Sequence, residues 1–579
     1  MTERFNFARD VFDAHAAADP GRLALLAVDD AGREQRLDFG GLSARSRALA
    51  HALLARGLRP GQSVLLLLPR RVAWWEALLA CLRAGLVTSP ATTQLTERDL
   101  VSRLPAAEIA AVLTDADLAP RVDAALARCG RAITLKLVAD GDELSAEDVV
   151  QREAVALAVL SDTGGAVAPA GGVRWTTWAA VGADDAPREW VATDTRASDP
   201  ALLFFTSGTT GAPKMALHTQ ESCGRGHRTT GELWLGLRPG DLHWNLSDTG
   251  WAKAAWSSFF GPWICGAAIF VHHTPRFSAR ATLELLSRHP ITTLCGAPTN
   301  FRLLIREDLS AFRFPHLRSC TAAGEPINPE VLAQWERATG VPIRDGYGQT
   351  ETVLCIGNLP GAVLRPGSMG MPVPGWEIEI LDEHDAPLPP GREGEIAIRC
   401  RPARPVGLFA GYWKDPERTA AVFRGDYYCT GDRASRDADG YVWFVGRADD
   451  VIKSSGYRIG PFEVESALLE HPDVVESAVV GVPDALRGQL VKAFVVLAPA
   501  AAARVGVVQH PDAPVRSAPL PDAAAMAAAR GALVAELQRF VQGRTAPYKY
   551  PREIEFVAAL PKTVSGKIRR VDLRGRESV

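Results

Sequence analysis

Between Leu42 and Leu113 the chain alternates helical stretches with short, almost wholly apolar runs, and this pattern limits the fold more than any other feature. Apolar residues recur at helical spacing from Leu42 to Arg56. Leu58-Arg-Pro-Gly-Gln62 then makes a turn, and Ser63-Val-Leu-Leu-Leu-Leu68 reads as a strand covered on both faces. Trp74 to Ala84 is helical again and stops at Gly85, and Ala107 to Leu113 is the next strand. Alternation of this kind predicts an α/β fold with a doubly wound, mostly parallel sheet. Such sheets bind ligands at the carboxyl ends of their strands.

The pattern changes twice. In residues 365–445, Trp376-Glu-Ile-Glu-Ile-Leu381 and Glu395-Ile-Ala-Ile-Arg399 alternate strictly about a Pro389-Pro-Gly391 turn, which predicts a small antiparallel β-barrel. After Asp449 short helices and strands return, including Glu463–Glu470 and Val474–Val480, as in a small α+β cap. The chain thus divides into a large domain, 1–448, and a cap, 449–579. Within the cap, Ala498 to Arg530 is rich in Ala and Pro, with Pro511, Pro514, Pro519 and Pro521 barring a helix until Ala523, and reads as a surface insertion.

Composition serves mainly to exclude. Against 67 acidic residues stand 64 basic ones, a net charge of −3 over 579 residues, which argues against a general nucleic-acid binder. With 47% hydrophobic and 23% charged residues the chain is an ordinary globular one, not a disordered one. Nine cysteines are scattered singly between Cys81 and Cys429, as suits reduced thiols in a cytoplasm. The stretch Met1–Asp10 has early acidic residues and no apolar run, unlike a secretory or transit peptide. No run approaches the roughly 18 apolar residues of a membrane span.

Chemistry concentrates in a few motifs. The apolar strand Leu202-Leu-Phe-Phe205 runs into Thr206-Ser-Gly-Thr-Thr-Gly-Ala-Pro-Lys214. Gly208 and Gly211 let the backbone approach an anion, Ser207, Thr209 and Thr210 donate hydroxyls, and Lys214 adds a charge, together a phosphate cradle. It is not a Walker loop, because no Ser or Thr follows the lysine. Asp345-Gly-Tyr-Gly-Gln-Thr-Glu351 offers an aromatic to face adenine, a hydroxyl for a phosphate and a carboxylate for Mg²⁺, which takes one or two carboxylates beside nucleotide phosphates. In Tyr428-Cys-Thr-Gly-Asp432 the carboxylate suits the vicinal hydroxyls of a ribose. Gly440 to Asp450 and Val451-Ile-Lys-Ser-Ser-Gly-Tyr-Arg-Ile-Gly460 lead into the cap, and Pro561-Lys-Thr-Val-Ser-Gly-Lys-Ile-Arg569 sets Lys567 in a glycine turn. Taken singly, Lys567 reads as a solvated charge.

Taken in order, these motifs resemble the AMP-forming acyl-adenylating enzymes over residues 30 to 575. Ser247-Asp-Thr-Gly-Trp251, Phe314-Pro-His-Leu317, Ser454 to Pro461 and Thr545-Ala-Pro-Tyr-Lys-Tyr-Pro551 resemble the medium-chain acyl-CoA synthetases in particular. The resemblance implies that a carboxylic acid is joined to AMP at the expense of ATP and then passed to coenzyme A. It further implies that Thr206 to Lys214, Gly324, Glu325, Asp345, Gly346, Tyr347, Gly348, Gln349, Thr350, Asp432, Arg447 and Lys567 hold ATP. Glu351 is expected to bind Mg²⁺, and Lys567, Thr350 and Glu351 to act in catalysis.

For the second step the resemblance makes Asp449 a hinge about which the cap rotates. It assigns Gln94, Ser455, Gly456, Tyr457, Arg487, Tyr550 and Arg552 to coenzyme A, and Trp251, Thr350 and Arg458 to the acid. Trp256, Trp263 and residues near Gly324 and Met369 are expected to line the acyl pocket. One departure is Gln542-Gly-Arg-Thr545, where related enzymes can carry a lysine, and Arg544 is the candidate substitute. Three alternatives share the nucleotide motifs: a benzoate or other aryl-CoA ligase, an enzyme that loads a carrier protein, and a noncatalytic nucleotide-dependent binding protein.

Overall fold

A computed structural model describes residues 3–139, 173–178, 190–206, 214–274, 277–455, 457–507, 523–562 and 568–575. Among these residues the strands form four sheets. The early alternation is realised closely, as helix Phe39–Ala55, strand Ser63–Leu67, helix Val72–Arg83 and strand Ile109–Asp115. Helix Phe39–Ala55 starts where the Asp38 carboxylate accepts from the Gly41 N–H at 2.6 Å, offsetting a backbone donor the helix itself cannot satisfy.

The strand Ser63–Leu67 shows why the apolar run is unbroken. Val64 and Leu66 enter one hydrophobic core and Leu65 and Leu67 another, on the opposite face of an eight-stranded sheet. The first core is shared with a nine-stranded sheet, which supplies Leu25, Ile269 and Val271, while Leu26 and Phe270 of the same two strands point into a third core. Both sheets have parallel interiors with antiparallel strands at an edge. The mixed α/β body is therefore two large sheets packed on one common core.

The strands Ile378–Leu381, Glu393–Arg399, Phe423–Arg424, Tyr427–Arg436 and Val442–Arg447 make a five-stranded antiparallel sheet. Breaks in register at Glu395/Ala397 and Arg433/Ala434 add local twist and curl it. The expected barrel is corrected here. Strand Ile378–Leu381 pairs with Glu393–Arg399 alone, so among the described residues the sheet stays an open half-barrel.

The C-terminal sheet contains Ile452–Ser454, Tyr457–Ile459, Val474–Asp484, Gly488–Leu497 and Glu553–Phe556, with helices Pro461–Leu469 and Ala523–Gln542 on one face. The surface insertion is corrected at its N-terminal end. Ala501, Ala502 and Val505 are buried in the same core as Leu533 and Leu537, so the N-terminal Ala-rich flank is a packed helix, whereas the helix that begins at Ala523 is mostly exposed as far as Arg530. The prolines between them lie outside the described residues. All nine cysteines are free thiols and seven are buried, as expected of inert ones. Among the described residues no helix is long and apolar enough to cross a membrane.

Candidate active site

Three strand ends converge with the half-barrel. Strand Pro200–Thr206 ends on Thr206, Ser319–Ala323 ends just before Gly324 and Glu325, and Ile343–Tyr347 carries Asp345, Gly346 and Tyr347 to its carboxyl end. Across from them, Asp432 and Arg447 are register partners on neighbouring strands of the half-barrel. Gly324 has φ +103°, and a Cβ built on it would meet nothing within 4 Å, so the backbone there faces open space. Its glycine is required by the torsion, because the left-handed region disfavours side chains.

Asp432 is the hub. Its Oδ2 accepts from the Tyr347 hydroxyl at 2.7 Å and from Gln349 Nε2 at 2.6 Å, while Oδ1 stands 4.0 Å from Arg447 Nη1. Tyr428 in turn donates to Gln349 Oε1 at 2.9 Å, and Gln349 Nε2 also reaches the Thr430 carbonyl at 2.9 Å. A carboxylate placed between three donors on rigid strands is fixed in orientation, as a ribose contact needs. Nearby, Glu351 is held by the Tyr412 hydroxyl at 2.9 Å, with the Lys214 ammonium 5.2 Å from the Tyr412 ring centre. Burial raises the Glu351 pKa, and the Tyr412 hydrogen bond and the Lys214 charge oppose that rise.

Two further buried groups shape the cleft. Asp345 has its carboxyl pushed up to about 8 by burial, partly offset by the Gly346 N–H at 2.9 Å and the charge of Lys253. That lysine donates to the Gly296 carbonyl and, at 2.7 Å, to the Ala323 carbonyl, tying together the ends of two adjacent parallel strands. His218 Nε2 lies 2.7 Å from the Thr350 carbonyl, which can only accept, so Nε2 carries the proton and Nδ1 faces Ser222 Oγ at 3.1 Å. Burial holds this imidazole neutral, with its pKa down at about 4. Glu325 accepts from Thr299 Oγ1 at 3.0 Å and pairs with Arg302 at 3.0 Å.

The structure thus brings Thr206, Lys214, Gly324, Glu325, Asp345, Gly346, Tyr347, Gly348, Gln349, Thr350, Glu351, Asp432 and Arg447 to one region, with Ser207, Gly208, Thr209, Thr210, Gly211 and Lys567 outside the described residues. The partners Tyr412, Tyr428, His218, Lys253 and Thr299 were not singled out from sequence. Only Tyr428 stood inside a recognised motif.

Trp251 sits in a loop whose Gly250 approaches the Thr92 backbone so closely that an added Cβ would lie 2.0 Å from its nitrogen. That contact sets Trp251 beside the segment carrying Gln94, which is exposed. On the C-terminal side, the Ser455 N–H donates to the Arg487 carbonyl at 3.0 Å. Tyr457 stacks on Tyr548 at 4.1 Å, and Arg552 donates to the Tyr550 hydroxyl at 2.9 Å. Gly456 is outside the described residues, and no contact among those described joins this group to Gln94 or Trp251. Arg458 pairs instead with Glu383 at 3.5 Å, away from Thr350.

One expectation is corrected. Trp263 is wholly buried, packs on Phe12 and Phe259 and donates to the Ala24 carbonyl, so it belongs to the core and not to a pocket. Met369 is likewise buried in the core of the half-barrel. Arg544 is engaged by Glu470 at 2.7 Å and lies over the Phe540 ring. Trp256 is buried against His218 and His227, one ring removed from Thr350.

At the junction, Arg447 Nε reaches Asp449 at 3.3 Å. Arg570 grips both oxygens of Glu465 at 2.7 and 2.8 Å and stands 3.6 Å from Asp450. Arg574 pairs with Asp450 and reaches the Asp449 carbonyl at 3.4 Å. The segment after position 567 is therefore tied to the residues at the junction.

Known families complete the description. The AMP-binding enzyme family matches residues 12–413, and the AMP-binding enzyme C-terminal domain matches residues 463–567. This chain belongs to the AMP-binding enzyme family. The resemblance read from the motifs is borne out. The Mus musculus protein named acyl-coenzyme A synthetase ACSM3, mitochondrial, is 44% identical over 585 residues, covering all of this chain and 92% of that one. The Homo sapiens protein named acyl-coenzyme A synthetase ACSM5, mitochondrial, is 44% identical over 586 residues, covering all of this chain and 91% of that one. Among solved structures, the anthranilate CoA ligase AuaEII in complex with anthranoyl-AMP superposes with a TM-score of 0.82 at 26% identity, covering 100% of this chain and 98% of that one. A benzoate CoA ligase from Burkholderia xenovorans gives 0.77 at 28%, covering 98% and 100%.

Proposed function

We propose that this AMP-binding enzyme is an acyl-CoA synthetase that activates medium-chain fatty acids. The observation that carries the reading is the Asp432 hub with Tyr347, Gln349 and Arg447, in a chain matched end to end by relatives named acyl-coenzyme A synthetases. In the first step an oxygen of the acid attacks the α-phosphorus of ATP, the bond to pyrophosphate breaks, and acyl-AMP forms. In the second the sulfur of coenzyme A attacks the acyl carbon and AMP leaves.

Tyr347 and Asp345 border the adenine, Asp432 and Arg447 hold the ribose, Thr206 to Lys214 cradle the phosphates, and Thr350 meets the α-phosphate and acyl carbonyl. Lys567, brought from the cap, bridges the acid and the α-phosphate, where negative charge crowds in the transition state and a fixed cation acts most strongly. Residues 1–448 form the nucleotide-binding body. Residues 449–579 form a cap that swings about Asp449 and brings Ser455, Gly456, Tyr457, Arg487, Tyr550 and Arg552 to coenzyme A and Arg458 to the acid.

Mg²⁺ fits this site on its donor chemistry. Among the described residues no group of three His, Cys, Asp or Glu could hold a metal alone, whereas the half-buried Glu351 offers the single carboxylate that suffices beside nucleotide phosphates. Bound there with the phosphates, Mg²⁺ would neutralise their charge. The nine free thiols support a reducing compartment, such as the cytoplasm.

The test is a screen of acids from two to twelve carbons with benzoate and anthranilate, reading AMP, pyrophosphate and thioester. Highest kcat/KM on acids of middle length with free coenzyme A is expected. Preference for the aromatic acids, or acyl-AMP formed without thioester, overturns the reading.

A further inference from the structure

The carboxyl ends of four parallel strands, drawn from both large sheets, meet at Arg70. Ser63–Leu67 leads to Arg70 and Arg71, Leu23–Val28 to Asp29, Leu242–Asn245 to Leu246, and Ala268–His272 to His273. Arg70 stands in the wall of two hollows at this junction. One is lined by Asn245, Ser247 and Thr249, and the other by Arg33, Arg71 and His273.

The cations here are unequally served. Arg33 is matched by Asp29 at 2.7 Å, Arg71 by Asp115 at 3.5 Å and His272 by Asp30 at 3.4 Å. Arg70 donates through Nη1 to the Leu246 carbonyl at 3.1 Å, and among the described residues no carboxylate oxygen comes within ion-pair distance of it. Asp248 acts on it only from farther off, while burial lowers its pKa. Arg70 is half-buried, and a guanidinium partly withdrawn from water with no anion beside it gains from one. Two polar atoms at the same place, Arg71 Nε and His273 Nδ1, are buried without a hydrogen-bond partner. Burial and then the charges of Arg71 and Arg70 push the His273 pKa down to about 4, so the ring is neutral and the local field positive.

We propose that Arg70, with Arg71 and neutral His273, forms an oxyanion site that takes a phosphate group, separate from the nucleotide cleft. Two planar guanidinium forks and an imidazole nitrogen at one point suit a tetrahedral, doubly charged group. Arg70 anchors the loop from Leu246 to Trp251 through the Leu246 carbonyl. The phosphate group is that of inorganic phosphate or the 3′-phosphate of coenzyme A. The second source rests on the activity proposed above; the site itself does not.

The test uses the full chain with its nucleotide cleft saturated by a non-hydrolysable ATP analogue. Inorganic phosphate is titrated at constant ionic strength against a chloride control while Tm is followed. A saturable rise is expected in the wild type, with the phosphate Kd weakened about 10-fold or more in Arg70→Gln and in His273→Ala. The second variant alters a residue outside the sheets and keeps the test alive if the first does not fold. KM for coenzyme A raised in these variants, with that for dephospho-coenzyme A unchanged, assigns the group to coenzyme A. Equal KM values assign it to free phosphate. No phosphate response beyond chloride, or unchanged affinity in the folded variants, overturns the site. That outcome with thioester formation intact leaves the proposed activity standing.

Discussion

Replacing Asp345 by Asn isolates the cost of burying a carboxyl at the end of a cleft strand. In the folded chain burial pushes this carboxyl up to about 8 from its ordinary 3.8, because burial disfavours the charge. Between those values the folded state holds a proton that the unfolded state has released. Its contribution to stability is therefore complete below about pH 4 and is lost as pH rises toward 8. At 1.36 kcal/mol per unit, the loss between pH 5 and pH 8 is about 3.5 kcal/mol. Unfolding entropy near 2.1 cal/mol/K per residue makes this a shift of ~3 °C for a chain of 579 residues. Asn is the neutral isostere and removes the dependence. Calorimetric scans of both proteins at pH 5, 6, 7 and 8 should show the Tm of Asp345→Asn gaining about 3 °C on the wild type across the series. Parallel profiles would refute the reasoning, since the side chain would then be ionised throughout or solvated.

Lys567→Ala should lower acyl-AMP formation by about 10² while sparing thioester formation from synthetic acyl-AMP, and equal loss of both steps in a single-turnover assay would remove the assigned role. Asp449→Pro, which restricts the torsion at the junction, should slow the second step selectively, and unchanged thioester formation would remove the hinge. In Tyr412→Phe the hydrogen bond that opposes the burial-driven rise of the Glu351 pKa is gone, so the acidic limb of kcat/KM should move to higher pH. An unmoved limb would separate Glu351 from that titration.

The parts of this molecule legible in its sequence are those fixed by neighbours in the chain. The unbroken apolar run of Ser63 to Leu67 announced a strand covered on both faces, and two cores do receive its alternate side chains. Asp432 and Arg447 were named from their motifs, and the register of one antiparallel pair sets them opposite each other. What depends on distant pairing was hidden. Nothing near Trp263 distinguishes a pocket wall from a core residue, since its partners Phe12 and Ala24 lie more than two hundred positions away. Tyr412 reaches Glu351 across 61 positions, and His218 reaches Thr350 across 132. The N-terminal Ala-rich flank of the insertion misled for another reason. Alanine has no side chain to show an amphipathic face, yet Ala501 and Ala502 pack closely because they are small.

The grip of Arg570 and Arg574 on Glu465 and Asp450 bears on how such enzymes can be recombined. A chimaera that borrowed only the sheet of the smaller lobe, and kept the native tail from residue 568 onward, would match arginines from one parent with acids from another. The practical seam lies ahead of Asp449, with everything through Arg574 carried across as one inherited block.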